Sequence, residues 1–285
     1  MIMGLYIVNR DSPYIDFEAL ENKGVTDIFT MMGTWQTIYE DFNVFKTNLE
    51  LTINAIKDTN LKLWVDIDPL VKEDHTAPKL DPVNPSYYLD LLCERSEQLY
   101  SEYNLEGMSF DDYFYPPALN NQSWSTVPSQ INAMVNFAEQ TANAIHTGNS
   151  KSKLALGTSC CEKCQIRLAQ LAPVVDLIMP ETYRGYTWCI GDDNSSIFLK
   201  NTIKKNRELT KGYKYAPVLR TYEGEGYPDV RLRTKKDLET QIKQALFFGA
   251  DGYVLFCYDS IVGPTQQYLT SDFKFVKSCT KLSCK

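Results

Sequence analysis

The residues best placed to do chemistry gather where short apolar runs end. The clearest case is Gly107-Met108-Ser109-Phe110-Asp111-Asp112-Tyr113-Phe114-Tyr115-Pro116, in which a strand-like run stops at two acids, three aromatics and a proline. Glu181 closes a second run, and Glu223 follows Arg220-Thr221-Tyr222 at the end of a third. Asp66 and Asp68 close a fourth, and Asp259 a fifth. Paired carboxyl groups are the machinery of glycoside hydrolysis: one acts as general acid, the other as nucleophile or as base for a water. Flat aromatic faces such as Trp35, Tyr113, Tyr183 and Tyr222 suit the C–H faces of a sugar. Arg220 would pair with an acidic sugar or with a catalytic acid.

Strand alternation ranks these candidates. Ser109, Asp111 and Tyr113 share one face, while Phe110 and Asp112 share the other. Asp111 is therefore the expected first carboxylate, and Asp112 is expected to orient a neighbouring loop or arginine at the edge of the substrate site. Glu181 is the expected second carboxylate. Glu223 is the alternative, although Glu223-Gly224-Glu225-Gly226 is a poor platform for a fixed nucleophile. Trp35, Asp66, Asp68, Asp112, Tyr113, Tyr183, Arg220, Tyr222 and Asp259 are the expected substrate contacts. The bland reading of any one of them is a solvated loop residue, since polar loops commonly follow strands.

The elements that must position these residues alternate along the chain. Strands are predicted over Gly4–Asn9, Asp27–Met32, Lys62–Asp68, Gly107–Tyr113, Lys153–Ser159, Asp176–Glu181, Tyr215–Tyr222 and Gly252–Tyr258. Helical apolar spacing covers Asn43–Asp58, Pro85–Tyr103, Pro128–His146 and Thr234–Phe248. Alternation of this kind means parallel βαβ units, and eight strands in 285 residues predict a single-domain (β/α)8 TIM barrel over residues 1–285. No Gly-x-Gly-x-x-Gly follows the first strand, which argues against a dinucleotide-binding sheet.

Composition narrows the function. A net charge of −7 argues against nucleic acid or an anionic membrane surface as partner. No window of roughly 18 apolar residues predicts membrane insertion. The Met1–Val8 opening lacks a charged region and a cleavage site and reads as strand. Two settings fit it: a domain of an exported, cell-surface or phage-type protein, or an intracellular chain.

The eight cysteines include Cys160, Cys161 and Cys164 after one strand, but the two histidines, His75 and His146, are remote, and no second Cys-x-x-Cys follows at zinc spacing. Disulfides or buried thiols are expected, and neither a metal nor another cofactor. Oxygen ligation of a divalent ion by Asp66, Asp68 and Asp111 is chemically possible, yet the spacing does not demand it. A cysteine nucleophile lacks a nearby histidine, and a serine hydrolase lacks its Gly-x-Ser-x-Gly turn.

The segment Gly107–Pro116 resembles the strand-four signature of glycoside-hydrolase-like barrels, Asp-Gly-Ile-His-Phe-Asp-Asp-Tyr-Phe-Tyr-Pro. The segment Asp176–Tyr183 is similar to their Asp-x-x-x-Pro-Gln/Met-x-Tyr. The opening Phe17–Phe29 looks like related domains in surface proteins of methanogenic archaea, which occur near cell-wall-binding repeats. The resemblance implies a glycosidase of a cell-wall or extracellular polysaccharide, with pseudomurein or a peptidoglycan-like glycan as substrate and Asp111 in the machinery. The chain departs from the signature at Ser109, where histidine is usual, and at Glu181, where an amide or methionine is common. The other reading is a catalytically silent barrel that binds wall glycan.

Overall fold

A computed structural model describes residues 1–34, 36–70, 86–111, 128–159, 168–182, 196–223 and 231–258. Strands β1 (Ile2–Val8), β2 (Asp27–Thr34), β3 (Lys62–Asp68), β4 (Gly107–Phe110), β5 (Lys153–Ser159), β6 (Leu177–Glu181), β7 (Val218–Arg220) and β8 (Gly252–Tyr258) close a parallel barrel. Each strand pairs with its neighbours in sequence, and β1 closes the ring against β8. The predicted (β/α)8 barrel is the observed fold. Around it run α1 (Phe17–Lys23), α2 (Gln36–Glu40), α3 (Phe42–Ile56), α4 (Ser86–Glu102), α5 (Pro128–Gly148), α6 (Ser196–Leu209) and α7 (Lys235–Phe247). Residues 9–14 form a 3-10 helix between β1 and α1.

Period-two alternation sorts every strand into two faces. The outward face, with Leu5, Ile28, Val65, Phe110, Leu156 and Leu255 among its members, packs with the helices as one large apolar cluster. The inward face forms a smaller cluster of Tyr6, Phe29, Trp64, Ala155, Leu177, Met179, Ala216, Val218 and Val254. Helix ends are capped by the side chains the chain offers there. Asp16 accepts from Ala19 N, Asp41 from Val44 N and Thr234 from Asp237 N, each satisfying a first-turn amide. Gly24 ends α1 at φ 103°, a left-handed conformation that glycine adopts without Cβ strain.

Three differences from the sequence expectation have physical causes. First, β7 is only three residues long, with Tyr215 joined to Ile178 by an isolated bridge. Pro217 stands between them and has no amide to carry the ladder. Second, Tyr222–Glu223 leaves the barrel and pairs antiparallel with Arg231–Leu232. Third, α6 lacks a clean apolar stripe because polar Thr202 and Asn206 share its buried side with Leu199 and Ile203. The short α1 and α2 offer too few turns for periodicity to show.

Candidate functional site

The site is built from inward positions in the upper half of the barrel. On β3, Asp66 follows the inward Trp64 by two residues and is 3% exposed. On β4, the paired residue is Ser109, fully buried, whose Oγ donates a short hydrogen bond to Asp66 Oδ1. Asp111 stands two residues on, in the turn that ends β4, half-buried, with its amide donating to Ile67 O at 2.8 Å. Glu181 ends β6, half-buried, in register with Ser159 on one side and Val218 on the other. Arg220 ends β7, 6% exposed and in register with Phe256 of β8.

Tyr6 of β1 lies at the bottom of this group. Its ring packs against Phe29 at 5.2 Å and Phe256 at 5.5 Å between centroids. Burial raises the pKa of its hydroxyl well above the ordinary phenol value, and Asp66, Asp111 and Glu181, in that order, raise it further. Carboxylates from three strands thus act on one buried oxygen, and the proton stays on it. Ser109 lies close enough to oppose the shift, but its hydroxyl hydrogen is directed at Asp66. The Tyr6 hydroxyl has no aligned hydrogen-bond partner.

The expected site residues therefore fall into groups. Asp66, Asp111 and Glu181 converge electrostatically on Tyr6, and Arg220 ends the neighbouring strand β7. Asp68 ends β3 past a register shift, and there it helps burial and Cys93 raise the pKa of Tyr39, a residue of α2. Tyr222 and Glu223 belong to the hairpin after β7, where Glu223 pairs by backbone with Arg231. Trp35, Asp112, Tyr113, Tyr183 and Asp259 lie outside the described residues, as do Cys160, Cys161 and Cys164. Among the described residues, no three histidine, cysteine, aspartate or glutamate side chains are arranged to hold a metal ion. No helix among them is long and apolar enough to cross a membrane.

Two participants escaped the sequence reading. Tyr6 sits in an apolar run, Leu5-Tyr6-Ile7, and reads as core. Gly157 of β5 reads as a neutral strand residue. The signal for both was parity: counted from Ala155 and from Ile2, each falls on the inward face.

No protein-family model and no curated protein sequence matches the chain. Solved structures do. A glycoside hydrolase family 18 N-acetylglucosaminidase from Paenibacillus barengoltzii superimposes with a TM-score of 0.68 at 11% identity, over 94% of this chain and 97% of that one. The chain shares its barrel. A Group IV chitinase of Ostrinia furnacalis gives 0.66 at 14% identity over 96% of each chain. A β-galactosidase from Marinomonas ef1 gives 0.66 at 9% identity, over 90% of this chain and 54% of that one. At these identities the likeness is one of fold, and one fold hosts many activities.

Proposed function

We propose that this barrel is a glycoside hydrolase acting on a cell-wall or other extracellular polysaccharide, with Asp111 and Glu181 as its paired carboxylates. The observation that carries the reading is that both acids take inward positions at the ends of β4 and β6, the two strands that flank β5. Both stand at the C-terminal ends of barrel strands, where enzymes of this fold build their sites. Both are half-buried, so a substrate reaches them while bulk water is partly shut out. One carboxyl group would protonate the leaving oxygen and the other would attack the anomeric carbon or activate a water. The barrels with which the chain superimposes include proteins named as glycosidases, which agrees with this assignment.

Pseudomurein and peptidoglycan-like glycans are the proposed polymers, on the strength of the sequence resemblance. The test is reducing-end release from a panel holding both, together with chitin and neutral glycans. Release by the wild type is expected. Absence of release from every polymer, with wall material still pulled down, would turn the reading to the glycan-binding module.

A further inference from the structure

Charge is unevenly spread along this chain. From Ser196 to Lys214, α6 and the turn after it carry six cations and one acid, Glu208, a local charge of +5 in a protein of net charge −7. Lys200, Lys204 and Arg207 stand at i, i+4 and i+7, which puts them on one face of the helix. Lys211 and Lys214 continue the run in the turn. Lys200, Lys204, Lys211 and Lys214 are all exposed. Among the described residues, none of these four lysines is paired with a carboxylate.

The strip is organised against α7. Lys200 Nζ lies 6.0 Å and Lys204 Nζ 5.2 Å from the centroid of the Phe248 ring, so one aromatic face gathers two ammonium groups. Like charges drawn to one ring repel each other, and an anion beside both relieves that repulsion. Arg207 is tied down: its guanidinium pairs with Asp251 at 3.3 Å and donates to the Tyr213 carbonyl oxygen at 2.7 Å. Two rings stand open beside these cations. Phe247 packs edge-on against Phe248 at 5.1 Å between centroids and is still 42% exposed, and Tyr213 is 41% exposed. A charged sugar chain meets such a strip with both of its parts, anionic groups for the lysines and C–H faces for the rings. Tyr213 precedes β7 and Phe248 precedes β8, so the strip runs down the flank to the end of the barrel opposite Asp111 and Glu181. From Lys200 to Lys211 the helical rise spans about 16 Å. A single flexible polymer follows so narrow a track, whereas a flat membrane would also press on the acidic remainder of the protein.

We propose that this strip along α6, edged by Phe247 and Tyr213, is a second binding surface whose ligand is an anionic polysaccharide. It holds the protein on a charged polymer and leaves the rim that carries the acids open. The inference goes beyond the hydrolase reading and does not depend on it.

The test uses the full chain at low ionic strength, because salt screens exposed charges. Calorimetry measures binding of decagalacturonate, of its methyl-esterified counterpart and of inorganic polyphosphate of equal charge. Decagalacturonate is expected to bind at least about tenfold tighter than the neutral ester, and tighter than polyphosphate. Lys200→Gln combined with Lys204→Gln should lose about five- to tenfold of that affinity. Lys57→Gln combined with Lys151→Gln makes the same change of charge at exposed positions elsewhere and should lose less than about twofold. Phe247→Ala should weaken decagalacturonate about threefold and leave polyphosphate unchanged. All these positions are exposed, and circular dichroism checks that each variant is folded.

Equal losses in the two lysine pairs would overturn the inference, because the strip would then have no special part in binding. Polyphosphate bound as tightly as decagalacturonate, with Phe247→Ala without effect, would overturn it by leaving charge alone to decide. Binding of phosphatidylglycerol vesicles in place of decagalacturonate would assign the strip to a membrane. A salt-sensitive dimer lost on changing Lys200 and Lys204 would assign it to a second copy of the chain. Either result overturns the glycan, as does absence of binding to every probe. Product release by the acids at the other rim is measured separately, so failure here leaves the hydrolase reading standing.

Discussion

The two halves of the barrel interior solve opposite problems with the same strand periodicity. Below, inward positions are filled and satisfied. Phe29 stacks on Trp64 at 5.2 Å, and the indole Nε1 donates to Asp27 Oδ1 at 2.9 Å. Thr26 in turn donates to Asp27 Oδ2 at 2.5 Å. Gly107 is where it is because a Cβ there would come within 2.3 Å of the Lys153 carbonyl and 2.6 Å of the Trp64 ring. That glycine makes room for protein. Further along the strands, the inward positions carry Asp66, Ser109, Asp111 and Glu181, and the Tyr6 hydroxyl lacks a partner. Gly157 there lets the end of β4 pass close by, since a Cβ would come within 3.0 Å of the Phe110 carbonyl oxygen and 3.3 Å of Asp111 Oδ1. The lower half is filled by packed and paired side chains, and the upper half gathers the acids.

Substitutions in the two halves should therefore fail in different ways. The largest loss of stability is expected from Trp64→Ala, which empties a fully buried site and removes the indole donor to Asp27; by analogy with other buried aromatics it should cost about 3–5 kcal/mol in denaturant unfolding. In the upper half, Asp111→Asn should instead leave the unfolding midpoint nearly in place and lower glycan cleavage by roughly 10²- to 10⁴-fold, the range for loss of a general acid or base. If Asp111→Asn unfolded the protein as readily as Trp64→Ala, the contrast between the halves would collapse.

Tyr6→Phe sharpens the contrast from within one side chain. It keeps the ring that packs on Phe29 and Phe256 and removes only the unsatisfied hydroxyl. Stability without ligand should stay within about 1 kcal/mol of wild type or rise, because a buried polar group without a partner is lost. A loss of several kcal/mol would mean that the hydroxyl is held by the protein after all. The smallest effect belongs to the outside of the barrel. Lys46 and Glu102 form an ion pair at 3.0 Å between α3 and α4. Hydrogen bonds from Gln98 and Lys46 lower the Glu102 pKa, so the pair's contribution is present at neutral pH and fades as pH falls through that depressed value. Lys46→Ala should cost less than about 1 kcal/mol in thermal unfolding, as partly exposed pairs do.

The barrel was legible in the sequence because strand and helix periods are local. Lys62–Asp68, Lys153–Ser159 and Gly252–Tyr258 appear with the boundaries that alternation and turn residues predicted. The end of β7 was not legible in detail, because Pro217 breaks the ladder while Tyr215 to Tyr222 keeps a strand-like composition. The α6 helix was hidden by polar residues that it buries, Thr202 and Asn206.

For the site, parity within β4 put Ser109 and Asp111 on one face, and the two occupy inward positions there. Which acids act on one another is a matter of register between strands far apart in sequence, and no local pattern encodes it. Tyr6 and Gly157 carry no chemical signature when read alone. Their surroundings come from other strands: Asp66 and Ser109 of β3 and β4 act on the Tyr6 hydroxyl, and Asp111 at the end of β4 lies beside Gly157.

The central claim, that Asp111 and Glu181 act as one pair, is tested most directly by a double-mutant cycle. Cleavage of the polymer that the wild type hydrolyses would be measured for Asp111→Asn, Glu181→Gln and the double variant, all shown to be folded. Groups that act as a unit are strongly non-additive, so each single variant should lose at least about 10²-fold and the double little more than the worse single. Wild-type cleavage rates in the Glu181→Gln variant, or losses that multiply independently, would contradict the pairing and move the second carboxylate elsewhere on the rim, with Glu223 the next to be tested.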